Sequence, residues 1–65
     1  MKLAIPDMSC GHCKAVVEQT IKSLDPAAEV QVDLATREVE VTTAVAPDLI
    51  VAALAAQGYQ ADQRG

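Results

Sequence analysis

The sequence predicts an α+β fold with the element order βαββαβ, a ferredoxin-like sandwich in which two helices cover one face of a four-stranded antiparallel sheet. Short segments with alternating apolar and polar residues indicate strands, and two segments with helical periodicity separate them. The chain has 65 residues, which leaves room for one hydrophobic core. We therefore expect residues 1–65 to form a single domain.

The first part of the chain contains a short strand, a polar turn and the most regular helix pattern. Leu3 and Ile5 share one face of a strand that ends at Pro6, and Asp, Ser and Gly close together indicate a turn after it. A helix is predicted from Cys13, and Asp25 ends it because the residue before a proline avoids the α region. The residues predicted to share the buried stripe of this helix are Cys13, Val16, Val17, Thr20, Ile21 and Leu24.

The second part of the chain predicts a hairpin, a second helix and a short last strand. Residues 30–34 and 38–42 alternate in polarity and are joined by a short link, which is typical of an antiparallel hairpin. Pro47 suits the first position of a helix, and Gly58 suits its end. The last strand is expected at residues 59–61, followed by a tail. The predicted buried side of the second helix consists of Leu49, Ile50, Ala53, Leu54 and Ala56.

Composition and charge exclude several classes of partner. A formal net charge of -4 and a single aromatic residue argue against nucleic-acid binding. The apolar start is too short for a secretory signal, and no stretch reaches the roughly 20 apolar residues of a membrane span. We therefore expect a cytoplasmic protein without membrane insertion, in a compartment that keeps thiols reduced.

The two cysteines, Cys10 and Cys13, carry the strongest functional signal. Two reduced cysteines separated by two residues indicate metal binding or redox chemistry. The alternative, that both are simply small buried side chains, is less favoured. A helix starting at the pair lowers thiol pKa values, and the thiolate is the form that binds metals or attacks disulfides. A structural zinc site almost always has four ligands, so two thiolates favour a soft cation of low coordination number, such as Cu(I).

The motif Met8-x-Cys10-x-x-Cys13 in a βαββαβ chain of this length resembles the heavy-metal-associated domain family, and within it the small bacterial copper chaperones. The resemblance covers residues 1–62. It implies that Cys10 and Cys13 bind Cu(I), that Met8 is a buried anchor, and that Tyr59 is an aromatic residue beside the site. It also implies a carrier, not an enzyme, that passes copper by thiolate exchange to the metal-binding domain of a copper-transporting P-type ATPase.

Four neighbours of the cysteines have alternative roles. For Met8 we favour packing over ligation, and for His12 a surface position over ligation. For Lys14, a solvated side chain is favoured over offsetting the charge of the thiolates or meeting an acidic partner. The family usually has glycine before the motif methionine, whereas this chain has Asp7, which stiffens the loop or adds an oxygen near the metal.

Two other functions and one other assembly are open to the same motif. The pair could serve a thiol–disulfide oxidoreductase, although 65 residues are too few for a thioredoxin-type domain. The module could instead bind Zn(II) or Hg(II), with Asp7 and His12 as the harder ligands that zinc accepts. Two chains could also share one copper through four cysteines, as a copper-bridged homodimer.

Overall fold

A computed structural model describes residues 1–64 and contains the predicted helices and strands in the predicted order. No helix in that range is long and apolar enough to cross a membrane. The elements are β1 (Lys2–Ala4), α1 (Gly11–Leu24), β2 (Glu29–Asp33), β3 (Glu38–Thr42), α2 (Pro47–Ala56) and β4 (Asp62–Gln63).

The four strands form one antiparallel sheet in the order β2-β3-β1-β4. Leu3 of β1 lies opposite Val39 of β3, and Val41 of β3 lies opposite Val30 of β2. Chain neighbours β1 and β2 are thus separated by β3, as the split βαββαβ order requires. The predicted ferredoxin-like fold is confirmed.

The core lies between the sheet and the two helices, which also contact each other. Alternate residues of β1 and β3 point into it, and each helix contributes a pair of residues four positions apart, as expected for one helical face. Burial of these side chains is the main favourable contribution to folding. The core consists of Leu3, Ile5, Met8, Val17, Ile21, Ala28, Val39, Val41, Ile50, Leu54 and Ala61.

Three residues of the predicted helix stripes are exposed, namely Leu24, Leu49 and Ala56. Leu24 is 41% exposed and Leu49 is 59% exposed, so the prediction that both are buried is wrong. Leu24 is the last residue of α1, and the buried side chain beyond this end of the helix is Ala28. In α2 the buried face is centred on Ile50 and Leu54, which turns Leu49 towards solvent.

The last strand lies later in the chain than predicted. Residues 59–61 are not a strand, because the Tyr59 N–H donates to the Leu54 carbonyl (2.9 Å) and so belongs to the end of α2. The strand is instead Asp62–Gln63, within the residues predicted as a tail, and it pairs with β1. Both of its residues are exposed, so no apolar alternation marks it. Gly65, the last residue of the predicted tail, lies outside the described residues.

Antiparallel pairing brings three connections to one end of the molecule. Ala4 at the end of β1 lies opposite Glu38 at the start of β3, so the segment after β1 and the hairpin turn are neighbours. The end of α2 reaches the same place, since the Tyr59 hydroxyl lies near enough to the Cys13 sulfur to lower the pKa of that thiol. We call this end, formed by residues 6–14, 34–37 and 57–60, the loop end.

Candidate metal centre

The loop before the cysteines begins with a tight turn over residues 5–8. The Met8 N–H donates to the Ile5 carbonyl (3.0 Å), and Pro6 occupies the second position of the turn, where its fixed φ fits. Asp7, at the third position, does not have a positive φ. The turn therefore has no need for the glycine that the sequence lacks here.

Met8 attaches this loop to the core. Its side chain is completely buried and belongs to the same cluster as Leu3 and Ile5 of the first strand segment. A flexible thioether side chain fills irregular space between helices and sheet well. The structure thus places Met8 beneath the loop, while the next residues, Ser9 and Cys10, are exposed.

Cys10 and Cys13 lie on either side of the first turn of α1. Cys10 is the N-cap residue, with extended backbone (φ -146°, ψ 168°) and no capping bond from its side chain. Cys13 lies in the first turn, because α1 begins at Gly11, two residues earlier than predicted. The two Sγ atoms are 3.3 Å apart. The unpaired N–H groups of a helix start, which carry partial positive charge, favour thiolates here.

The surroundings of Cys13 lower the pKa of its thiol. The largest cause is a hydrogen bond with the side chain of Tyr59, followed by one with Cys10 and one from the main-chain N–H of Ser9. Burial acts in the opposite direction but more weakly than the strongest of these bonds. The pKa of Tyr59 is raised, mainly because its hydroxyl donates to Cys13 and because it is partly buried. The hydroxyl therefore stays protonated and stabilises the thiolate.

The end of α2 places Tyr59 beside the pair. Gly58 adopts a positive φ of 91°, and its N–H donates to the Ala55 carbonyl (2.9 Å) while the Tyr59 N–H donates to Leu54. This is a Schellman helix end, in which glycine is favoured at the left-handed position. The chain reverses at this point, and Tyr59 packs against the edge of the core.

The other candidate residues do not complete a larger ligand set. His12 is exposed in the first turn of α1, and Asp7 is exposed in the turn before Met8. Between Met1 and Arg64, no group of three or more His, Cys, Asp or Glu side chains is placed to hold one metal ion. Lys14 is half-buried next to Cys13. The pair therefore offers two sulfur atoms to a ligand.

Comparison with known proteins agrees with this arrangement. Residues 2–60 match the heavy-metal-associated domain. The chain belongs to that family.

Its relatives among heavy-metal-associated proteins include copper chaperones. The copper chaperone CopZ of Staphylococcus aureus (strain bovine RF122 / ET3-1) is 35% identical over 60 residues, 88% of each chain. A copper chaperone from Synechocystis PCC6803 has a TM-score of 0.92 at 31% identity, over 95% of this chain and 98% of the other. The crystal structure of a gold binding protein has a TM-score of 0.95 at 42% identity, over 98% of both chains. This heavy-metal-associated domain therefore resembles both copper chaperones and a gold binding protein in sequence and fold.

Sequence reasoning missed two groups beside the site of this heavy-metal-associated domain. One is the Ser9 main-chain N–H, which bonds to the Cys13 sulfur; no side-chain pattern reports a main-chain donor. The other is Arg37, whose Nη1 donates to the Pro6 carbonyl at 3.1 Å across 31 positions of sequence. Only the hairpin register brings Arg37 to the loop end, so its local sequence holds no signal.

Proposed function

We propose that this protein is a cytosolic Cu(I) carrier that binds copper between Cys10 and Cys13. The observation that carries the proposal is the pair of thiols 3.3 Å apart at the start of α1, with no third ligand beside them in residues 1–64. Soft thiolates prefer Cu(I), and a site of two ligands suits a cation of low coordination number. The copper chaperones among its relatives support this choice of metal.

The geometry of the pair favours reversible binding. With sulfur–metal bonds of about 2.3 Å, sulfurs at their present separation would enclose an angle of roughly 90° at the metal, whereas a straight arrangement needs about 4.6 Å between them. Loading therefore moves the sulfur atoms apart. Cys13 is held within α1, so Cys10, in the exposed loop, is the one that moves.

Release to a partner follows from the same open coordination. A thiolate of the partner adds to the metal as a third sulfur, and one sulfur of this pair then leaves, so the ion is never free. We propose as partner the metal-binding domain of a copper-transporting P-type ATPase, with docking at the loop end through Tyr59 and Lys14. A copper-bridged homodimer uses the same exchange between two copies of this chain.

Cysteine substitution tests the proposal. Anaerobic Cu(I) titration against a strong chelator should give one tightly bound copper per chain, and Cys10→Ser or Cys13→Ser should each weaken binding greatly. Ser9→Ala is the matched control, because it removes a hydroxyl in the same loop and keeps the main-chain N–H. Unchanged affinity in both cysteine variants would exclude the site. X-ray absorption should count two sulfur ligands and no nitrogen from His12.

Au(I) is the second candidate cargo, because the chain is 42% identical to a gold binding protein over nearly its whole length. Au(I), Zn(II) and Hg(II) can be separated from Cu(I) by mass spectrometry after loading with equimolar mixtures. We expect the soft cations to exclude Zn(II), since residues 1–64 place no His, Asp or Glu beside the pair to complete four-coordination. Predominant zinc loading would assign the domain to a different metal.

The same cysteine pair also allows an enzymatic alternative, a thiol–disulfide oxidoreductase. We propose a carrier instead, because the relatives named above include copper chaperones. An insulin-reduction assay decides between the two. A rate near background supports the carrier, and a rate well above it that depends on both cysteines supports the enzyme.

A further inference from the structure

We propose that Arg37 is a positioning residue that holds the base of the metal-binding loop and so limits the rate at which Cu(I) leaves the cysteine pair. The proposal rests on the proposed function for its cargo. Arg37 lies in the hairpin between β2 and β3, far in sequence from both cysteines. It acts on the cysteine loop through residues 5 and 6.

The backbone of Arg37 is the first observation. Its φ is 59°, in the left-handed region that glycine adopts without strain and that most other residues avoid. Such a conformation persists at a non-glycine residue when surrounding contacts hold it, and it often marks a functional position. Glycine or asparagine would fit the turn more easily, so the arginine side chain must be explained by something else.

The contacts of Arg37 supply that explanation. Its carbonyl accepts the Ile5 N–H at 2.8 Å, and its guanidinium donates from Nη1 to the Pro6 carbonyl at 3.1 Å. The two bonds hold Ile5 and Pro6, the first two residues of the turn. Met8 closes that turn by donating its N–H to the Ile5 carbonyl. A hydrogen bond from a charged donor is stronger than one between neutral groups.

The position of these two bonds relative to Cys10 determines which part of the loop they restrain. Pro6 lies four residues before Cys10, whose sulfur must move away from Cys13 when metal binds. A loop whose base is fixed allows that movement only over residues 8–10, of which Met8 is itself buried. Arg37 therefore restricts the movements of Cys10 away from Cys13 that would let a competing ligand reach the metal.

Three variants separate the guanidinium from the backbone. Arg37→Gly and Arg37→Asn both tolerate the left-handed conformation and both remove the guanidinium. Arg37→Lys keeps a charged donor but loses the planar guanidinium group. It should therefore retain part of the restraint that Arg37 places on the loop. Lys22→Gln is the charge control, because it removes one positive charge at the far end of α1.

The first readout uses the metal-free protein. Amide hydrogen exchange at Met8 should be roughly five-fold faster in Arg37→Gly and Arg37→Asn, the factor expected for the loss of one hydrogen bond of ordinary strength. The urea midpoint should stay unchanged or rise in Arg37→Gly because strain is relieved, which a merely structural role does not predict. Lys22→Gln should leave Met8 exchange unaltered.

The second readout uses the Cu(I)-loaded protein. Transfer of copper to a chelator should be several-fold faster in Arg37→Gly and Arg37→Asn, with Arg37→Lys between these and the parent chain. Unchanged Met8 exchange in both variants would overturn the positioning role. Faster exchange with unchanged copper release would overturn the link to the cargo. Failure of the parent chain to bind Cu(I) would defeat the proposed function alone, since Met8 exchange is measured without metal.

Discussion

At the scale of single residues, the sulfur of Cys13 has the most specific environment in the site. Its pKa is lowered by the nearby Tyr59 hydroxyl, Cys10 thiol and Ser9 amide, and it lies within the first turn of α1. Cys10 is exposed and makes no cap bond. The two sulfurs are thus unequal in their surroundings: Cys13 is held within α1 and its thiol pKa is lowered, whereas Cys10 is exposed before the helix.

Tyr59→Phe tests this inequality. The variant keeps the ring but removes the hydroxyl that most lowers the pKa of Cys13, so the Cys13 pKa should rise towards that of an ordinary thiol. Because the thiolate is the nucleophile, alkylation of Cys13 at neutral pH should slow, and its pH–rate curve should move to higher pH. Iodoacetamide labelling with mass-spectrometric assignment of each cysteine measures both effects.

Thr36→Ala provides the control for that experiment, since it removes a hydroxyl at the loop end without touching the pair. It should leave both alkylation curves in place. An identical Cys13 curve in Tyr59→Phe and the parent chain would mean that the tyrosine hydroxyl does not support the thiolate.

The residues of the site differ in how far sequence could identify them. Cys10 and Cys13 can be identified from their spacing. Tyr59 can be identified locally, because it follows a glycine that ends a helix. Arg37 has no such signal, because its contact with Pro6 depends on the packing of β3 against β1. A contact between a side chain and a main-chain carbonyl far away in sequence can be predicted only when the strand register is known. The sequence alone does not give that register.

At the scale of the elements, the end of α1 is tied to the segment before α2 by a small polar network. Asp25 accepts the Thr43 hydroxyl on Oδ2 (2.7 Å) and the Ala27 N–H on Oδ1 (3.1 Å). The Thr43 hydroxyl oxygen also accepts the Val45 N–H (3.1 Å). Mainly because of the Thr43 bond, the pKa of Asp25 is lowered. The network favours the ionised carboxylate.

This network predicts a pH-dependent contribution to stability. A carboxyl pKa that is lower in the folded chain adds stability above the unfolded value of about 3.9, and that stability is lost as the pH falls through the folded pKa. Thr43→Val should therefore reduce the free energy of unfolding more at pH 7 than at about pH 2.5. Urea unfolding at both pH values measures the difference.

Thr43→Ser keeps the hydroxyl and should follow the parent chain at both pH values. An equal loss in Thr43→Val at neutral and acid pH would show that the ionised carboxylate of Asp25 contributes nothing beyond the neutral hydrogen bond.

The observed face of α2 predicts unequal effects for two leucines of one helix. Leu54 is completely buried, so Leu54→Ala should lower the free energy of unfolding by about 2–5 kcal/mol through lost burial and the cavity left behind. Leu49 is mostly exposed, so Leu49→Ala should change it by no more than about 0.5 kcal/mol. Denaturant unfolding of the two variants makes the comparison, and similar losses would restore the originally predicted buried face.

Helices and strands could be predicted where apolar residues recur at a regular spacing. They could not be predicted where main-chain hydrogen bonds alone determine the structure. Val39 and Val41 alternate with glutamates, which identifies β3 correctly to its boundaries. The segment of α2 is almost uniformly apolar, so periodicity could not decide whether Leu49 or Val51 faces inward. β4 pairs through backbone groups of Asp62 and Gln63, whose side chains carry no strand signal.

At the scale of the whole molecule, charge is distributed unevenly. The sheet face turned away from the helices is acidic, and it reaches the loop end, where Lys14 lines one groove together with Asp33 and Glu38. The acidic residues of the sheet face are Glu29, Asp33, Glu38, Glu40 and Asp62.

Two charge reversals on one helix test docking at the loop end. Lys14→Glu and Lys22→Glu alter the net charge equally, but their positions are about 12 Å apart along α1. Lys14→Glu should change the rate of copper transfer to a partner metal-binding domain and the dependence of that rate on salt, because it alters the local field where the chains meet. Stopped-flow transfer assays measure both, and equal behaviour of the two variants would place docking elsewhere.

The hydrogen bond between Tyr59 and Cys13 has a practical optical consequence. The chain contains no Trp or Phe and only this one tyrosine, so all of its near-ultraviolet absorption and intrinsic fluorescence from aromatic side chains arise beside the cysteine pair. Deprotonation or occupation of the sulfurs changes the environment of that single chromophore. The unlabelled protein thus carries its own spectroscopic reporter, and its emission follows the state of the site without a background from the rest of the fold.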